Sequence, residues 1–206
     1  NGEPFRGVGI NLCWESRTQD DSKFFSDLHE QHHRFNFDAM LPDFAQNGGN
    51  FTRMWICDWN FPIDRQTGFN NHRYTETTEY MNESACARLD HVVTLSEDLG
   101  IKIMLCMGQG NVVANRDFFT KAESKVRYRN YLRYIVARWG YSPAIAMWEF
   151  FNEIDNVQHN APEGVIPAED IVAWHDEMST YLADLDPFQH IRTTSISHRD
   201  LEGLND

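Results

Sequence analysis

Hydrophobic positions along the chain fall into two alternating kinds of segment. Short apolar runs predict buried strands at Phe5 to Cys13, Asn50 to Cys57, Ile101 to Met107, Ala144 to Phe151 and His190 to Ile196. Between them, apolar residues recur at helical spacing. Ser84 to Leu99 presents Ala85, Leu89, Val92, Val93, Leu95 and Leu99, and Ser124 to Trp139 presents Val126, Tyr128, Leu132, Ile135, Val136 and Trp139. Phe37 to Gln46 and, after Pro167, Ala168 to Leu185 read as two further helices. Asn47-Gly48-Gly49, Gly100 and Gly140 follow three of these helices, where glycine ends a helix at least cost.

Strands separated by helical crossovers imply a parallel sheet and an α/β fold. An open doubly wound sheet would place a glycine-rich phosphate loop after its first strand, whereas this chain has Leu12-Cys13-Trp14-Glu15. A closed (β/α)8 TIM barrel carries its functional loops after the strands. The segments Trp14 to Asn36, Asp58 to Asn82, Gly108 to Glu123 and Asn152 to Pro167 are long, aromatic and polar, so the barrel is favoured. Five strand-helix units cover about the first five-eighths of such a barrel, which takes about 250 residues in full. With no repeat, low-complexity tract or linker, residues 1–206 read as one domain, the N-terminal portion of a barrel. Such a piece by itself is expected to be inactive and to expose apolar sheet edges.

Charge narrows the partners. Against 18 Lys+Arg stand 31 Asp+Glu, a formal charge of −13, and no basic cluster interrupts the excess. Phosphate backbones and anionic lipid are repelled, so neither a nucleic-acid nor a membrane partner is expected. No apolar run approaches the roughly 18 residues that a membrane span requires. Cys13, Cys57, Cys86 and Cys106 are too few for a disulfide scaffold and are expected to be free and buried. Asn50-Phe51-Thr52 and Asn82-Glu83-Ser84 fit the glycosylation triplet, which also arises by chance.

The strongest chemical signal is Ala146-Met147-Trp148-Glu149-Phe150-Phe151-Asn152-Glu153, a buried strand ending in an amide and a carboxylic acid at the rim where barrel enzymes work. A carboxyl group walled by aromatics keeps its proton through desolvation, as a general acid near neutral pH must. A loop carboxylate that caps the next segment or pairs with an arginine is the other reading. Glu149 precedes Glu153 by four strand residues, about 13 Å, too far for a catalytic pair whose carboxyls sit about 5–5.5 Å apart. Glu149 is expected in the barrel interior, held ionised by a partner such as Arg53. Glu15, Asp58 and Asp64 sit on rim loops without a spacing that marks a nucleophile. Trp14, Trp55, Trp59, Phe61 and Phe69 follow the first two strands, and flat rings of this kind stack on pyranose faces or fill loop cores.

Four stretches together resemble the clan A glycoside hydrolases, most of all the cellulase and mannanase-like family 5: Gly7-Val8-Gly9-Ile10-Asn11, Gly49-Asn50-Phe51-Thr52-Arg53-Met54-Trp55, Leu89-Asp90 through Gly100-Ile101, and Trp148-Glu149-Phe150-Phe151-Asn152-Glu153. The resemblance implies retaining hydrolysis of β-linked glycans, of β-mannan or β-glucan type. It implies Glu153 as acid/base, Asn152 as hydrogen-bond partner of the sugar 2-hydroxyl, and Arg53 as the residue orienting a nucleophilic Glu that ends strand seven, downstream of this chain. Trp14, Trp59, Gln109 and Asn111 are the substrate-binding candidates; Cys106-Met107-Gly108-Gln109-Gly110-Asn111 stands where the family commonly has a His-rich strand end. An oligo- or polysaccharide substrate, no cofactor, no metal, and a secreted or periplasmic location follow.

Two other readings compete. A barrel lacking the second carboxylate would bind carbohydrate without cleaving it. His29-Glu30-Gln31-His32-His33 matches the zinc-hydrolase pattern, with His29 and His33 as ligands and Glu30 as base, but it lies in a polar loop rather than a stable helix and has no evident third ligand.

Overall fold

The computed structural model describes residues 4–15, 36–71, 73–108 and 115–199, with Leu201 and Leu204. Their elements are β1 (Gly9–Ile10), α1 (Phe37–Gln46), β2 (Phe51–Trp55), α2 (Glu83–Asp98), β3 (Lys102–Cys106), α3 (Arg116–Thr120), α4 (Ala122–Trp139), β4 (Ile145–Glu149), α5 (Ile154–His159), α6 (Ala168–Leu185) and β5 (Ile191–Thr193). The strands form a five-stranded sheet in chain order, β1-β2-β3-β4-β5. β1 pairs β2 in parallel, Gly9 opposite Phe51, and β4 pairs β5 in parallel, Glu149 opposite Thr193. Neighbouring strands that follow one another in parallel are the signature of repeated β/α units, so the α/β barrel-type reading holds.

Every predicted strand forms, though shorter than its apolar run, and α1 and α6 have their predicted bounds. β1 keeps two residues of the expected nine because a side chain takes over the ladder. Asn50 Oδ1 accepts the Val8 N–H at 2.7 Å and its Nδ2 donates to the Arg6 carbonyl at 3.0 Å. Two short helices, α3 and α5, stand in segments read as loops. α3 begins where the Asn115 side chain accepts the Phe118 N–H at 3.2 Å, a cap signal too short to show helical periodicity.

The chain divides into two compact units, Asn1–Leu105 with Ser142–Ala146, and Cys106–Tyr141 with Met147–Asp206. In the first, Phe37 and Leu41 of α1, Met54 of β2, Leu89 of α2 and Ile103 of β3 are fully buried. Asn82 caps α2 by accepting the Ala85 N–H at 3.1 Å, and Gly100 ends that stretch at φ +68°, where a side chain would be strained. Glu15 is wholly buried and is met by Arg73, by Arg88 and by the Phe37 N–H at 3.1 Å; Arg88 also pairs with Asp38, which contacts His91 at 2.6 Å. Burial pushes the Asp38 carboxyl up, but Arg88 and His91 outweigh it and hold it below the ordinary value.

In the second unit the core is built on Trp174 of α6, fully buried. Its ring meets Phe118 and Phe119 of α3 at 5.5 and 5.6 Å, Tyr128 of α4 at 4.8 Å, and Phe150 and Phe151 at 5.8 and 5.5 Å. Trp139, Trp148 and Trp174 are all core residues. His175 is buried beside Trp174, and its Nδ1 contacts the Ile171 carbonyl at 2.9 Å. The four cysteines are buried thiols, and among the described residues no helix is long and apolar enough to cross a membrane.

Two consequences for stability can be measured. Glu15→Ala leaves two guanidinium groups facing an emptied buried site and is expected to cost about 3–5 kcal/mol in urea unfolding at pH 7, against under about 1 kcal/mol for exposed Asp117→Ala. Burial depresses His175 from 6.5 to about 4. Above pH 6.5 the imidazole is neutral folded or unfolded; between pH 6.5 and about 4 only the unfolded chain takes up the proton. Stability therefore falls as pH falls across that window, by about 3 kcal/mol, and the unfolding free energy of wild type minus that of His175→Leu should drop by that amount from pH 7 to pH 4.

Candidate active site

The end of β4 is shaped by backbone pairing and one glycine. Met107 N–H donates to the Glu149 carbonyl at 2.8 Å, and Phe150 N–H donates to the Thr193 carbonyl at 2.8 Å. The Gly108 carbonyl then accepts the Asn152 N–H at 2.8 Å. A Cβ at residue 108 would sit 2.7 Å from the Phe150 carbonyl oxygen and 2.9 Å from the Phe151 ring, so this close passage requires glycine. Asn152 is thereby held almost out of solvent, 7% exposed.

Glu153 follows with φ 54° and ψ 59°, a left-handed backbone on a side chain that disfavours it. Such a conformation costs about 1–2 kcal/mol and persists where surrounding contacts impose it. Those contacts come from the segment after β5. Glu153 N–H donates to Ser195 Oγ at 3.0 Å, Ile154 N–H donates to the Ser195 carbonyl at 2.9 Å, and Ser195 N–H donates to the Phe151 carbonyl at 3.0 Å. The Glu153 carboxylate accepts from Asn156 Nδ2 at 2.8 Å, and Asn156 Oδ1 accepts from Arg199 Nη1 at 2.8 Å. The chain turn thus separates Glu153 from the strand and leaves it partly exposed, backed by a fixed amide donor.

Asp155 anchors the same segment from below. Fully buried, its carboxylate accepts the N–H groups of Ser197, His198 and Arg199 at 2.8, 3.2 and 3.1 Å. Burial pushes the carboxyl up, but these hydrogen bonds outweigh it and hold it below the ordinary carboxylate value. Asp186 does the equivalent before β5: burial raises it, while the Trp148 indole at 2.9 Å, His190 and the Phe188 N–H bring it down. None of Asn156, Ser195, Asp155 or Arg199 was singled out from sequence, because nothing in their spacing marks residues 40 positions apart as partners.

The other predicted residues gather in the first unit. Trp55 N–H donates to the Cys13 carbonyl at 2.9 Å, and Asn60 stitches the strand ends together, its Nδ2 donating to the carbonyls of Cys13 and Trp55 at 3.3 and 2.9 Å and its Oδ1 accepting the Glu15 N–H at 3.2 Å. Trp14, 39% exposed, is therefore brought against Trp55 at 4.9 Å and edge-on to Trp59 at 6.0 Å. The Arg53 guanidinium lies 5.2 Å above the Trp55 ring. Arg53, Trp14 and Trp59 form one aromatic and cationic cluster. Phe61, grouped with them from sequence, is core instead: it is fully buried and stacks on Phe37 at 5.7 Å. Phe69 packs on Tyr74 at 6.1 Å.

Glu15, placed on a rim loop from sequence, is a buried ion-pair centre, and Asp58 pairs with Arg65 at 2.6 Å. Both glycosylation-triplet asparagines are engaged, Asn50 in the β1 contacts above and the fully buried Asn82 as a cap whose Nδ2 donates to the Thr75 carbonyl at 3.1 Å. Gln109, Asn111 and the whole His29-Glu30-Gln31-His32-His33 stretch lie outside the described residues. Among the described residues no group of three or more His, Cys, Asp or Glu side chains is arranged to hold a metal ion.

Comparison with known proteins adds an independent result. The sequence matches the cellulase family, glycosyl hydrolase family 5, over residues 2–197. It is 28% identical over 200 residues to a probable mannan endo-1,4-beta-mannosidase F of Emericella nidulans, covering 89% of this chain and 42% of that protein. With a probable mannan endo-1,4-beta-mannosidase A-1 of Aspergillus terreus it shares 30% identity over 165 residues, covering 72% and 41%. The chain thus spans about two-fifths of the length of these relatives. The fold is similar to that of the endo-beta-1,4-mannanase from Thermotoga petrophila, TM-score 0.64 at 18% identity, over 98% of this chain and 45% of that one. It is also similar to the beta-1,4-D-mannanase from Cryptopygus antarcticus, TM-score 0.62 at 17% identity, over 91% and 56%.

The left-handed backbone at Glu153 makes a prediction opposite to the usual ranking. Glu153→Gly is expected to be more stable than Glu153→Ala by about 1 kcal/mol, measured by thermal unfolding of the two variants, whereas inside a helix or strand glycine is the weaker residue.

Proposed function

The chain belongs to the cellulase family, glycosyl hydrolase family 5, and from that membership we propose that the protein, at its full natural length, is a retaining glycosidase cutting β-1,4-linked mannan. The observation that carries this reading is Glu153. It is a partly exposed carboxyl at the end of β4, next to buried Asn152, in a strained backbone conformation that the rest of its unit imposes. Strain kept at one carboxyl is characteristic of a functional group. The names of the relatives favour mannan over β-glucan as the polymer.

In this mechanism Glu153 donates its proton to the glycosidic oxygen as a second glutamate, ending strand seven beyond this chain, attacks the anomeric carbon from the opposite face. The leaving sugar departs with that proton. Glu153, now ionised, takes a proton from water as the water attacks the glycosyl ester; this frees the product and restores both carboxyls. Asn152 holds the 2-hydroxyl of the reacting sugar, and Arg53 orients the nucleophile. Trp14 and Trp59, with Trp55 against Trp14, supply flat apolar faces for neighbouring sugar rings; Gln109 and Asn111 belong to the same binding role. The chain forms the N-terminal portion of one (β/α)8 catalytic domain. A polymer cannot enter cells intact, so the enzyme acts in a secreted or periplasmic location.

Glu153→Gln should lower mannan hydrolysis by about 10²- to 10⁴-fold, while an aryl β-mannoside whose leaving group departs without protonation should still release its phenol in a first burst. Mannan hydrolysis within about threefold of wild type would overturn the acid/base assignment. Mannan binding without cleavage by the wild type would point instead to a binding barrel.

A further inference from the structure

We propose that Asn156 and Arg199 are positioning residues that decide which oxygen of Glu153 carries the proton; this rests on Glu153 being the acid/base. The argument is one of donors and acceptors. Arg199 has only N–H groups to offer, so the atom of Asn156 that faces its Nη1 at 2.8 Å must be the carbonyl oxygen Oδ1. The amide orientation is then fixed, and its other end, Nδ2, presents N–H to Glu153 Oε2 at 2.8 Å. An oxygen already accepting from an amide is the poorer place for a proton. The acid proton therefore resides on Oε1, and Oε2 stays an acceptor through both halves of a reaction in which Glu153 gives and regains it.

The relay is itself anchored. Arg199 N–H donates to Asp155 Oδ2 at 3.1 Å, and its guanidinium lies 3.8 Å from the same oxygen. Ionisable groups on the elements that flank Glu153 in this unit include Asp155 and His159 on α5, Glu149 on β4, and His198 and Arg199 after β5. His198 Nδ1 is hydrogen-bonded to Ser197 Oγ at 3.0 Å and lies 3.8 Å from Asp155, while His159 Nδ1 contacts the Asp155 carbonyl at 2.9 Å. Of these, Arg199 is connected to the Glu153 carboxylate through Asn156. A purely structural role, tying α5 to the segment after β5, would affect melting and leave the pH dependence of turnover alone.

The test is the pH profile of kcat/KM on mannan for the protein at its full natural length, with melting temperature measured alongside. The basic limb reports deprotonation of the acid. Asn156→Leu removes the donor that favours the ionised carboxylate, so that limb should move up by about one pH unit. Asn156→Asp, nearly identical in shape, sets a like charge beside Glu153 and should move it further. Arg199→Met frees the amide to turn over and should shift it in the same direction by less. Basic limbs within about 0.2 pH unit of wild type in the folded variants would overturn the proposal, and Asn156→Asp carries the test if Asn156→Leu does not fold. Glu153→Gln separates the two levels. If it retains mannan hydrolysis, the acid/base reading itself has failed; if it loses hydrolysis while the Asn156 variants keep their limbs, only the positioning role has.

Discussion

A carboxylate removed from water must be met by donors, and in this protein that requirement organises the segments flanking the strands. Glu15 follows β1 and gathers Arg73, Arg88 and the Phe37 N–H; Asp155 follows β4 and gathers three consecutive N–H groups; Asp186 precedes β5 and gathers an indole, a histidine and two N–H groups. Each buried charge is costly alone and acceptable only when its partners arrive in one geometry. The cost of leaving it unmet converts otherwise irregular connections into fixed ones. Loops held this way can carry functional groups with the precision of regular structure.

The arrangement at Glu153 shows what that rigidity supports. The residue adopts a backbone conformation it would not choose by itself, and Ser195, two residues before the segment pinned by Asp155, provides the hydrogen bonds that impose it. Stability is given up at one position so that a carboxyl leaves the line of the strand, where its neighbours Phe150, Phe151 and Asn152 are all buried. A relaxed backbone would aim the side chain elsewhere.

Aromatic residues divide into two populations by the same logic. Trp174, Phe119 and Phe61 are sealed in cores, where area burial and stacked or edge-to-face ring contacts stabilise the fold. Trp14 keeps more than a third of its surface in solvent while two other indoles support it, and Asn60 binds the strand ends that set their spacing. An exposed ring fixed by buried polar contacts is preorganised for a flat apolar ligand face, since little side-chain freedom remains to be lost on binding.

Much of this was legible in the residues alone. Alternating apolar runs and helical periodicities determine the strand-helix order, since burial on two faces or on one stripe leaves a pattern in the sequence; glycine after a helix marks its end. The Asn152-Glu153 pair could be picked out because it ends a buried apolar run, and Arg53 only because the stretch around it resembles a known family. Tertiary structure alone decided the rest. That Glu15 is a buried ion-pair centre, that Phe61 is core while Trp14 is not, and that Asn156, Ser195 and Arg199 hold Glu153 all depend on contacts between residues dozens of positions apart. Local pattern records which side of an element is buried, but not which distant donor meets a given charge, because that is set by how the chain closes on itself.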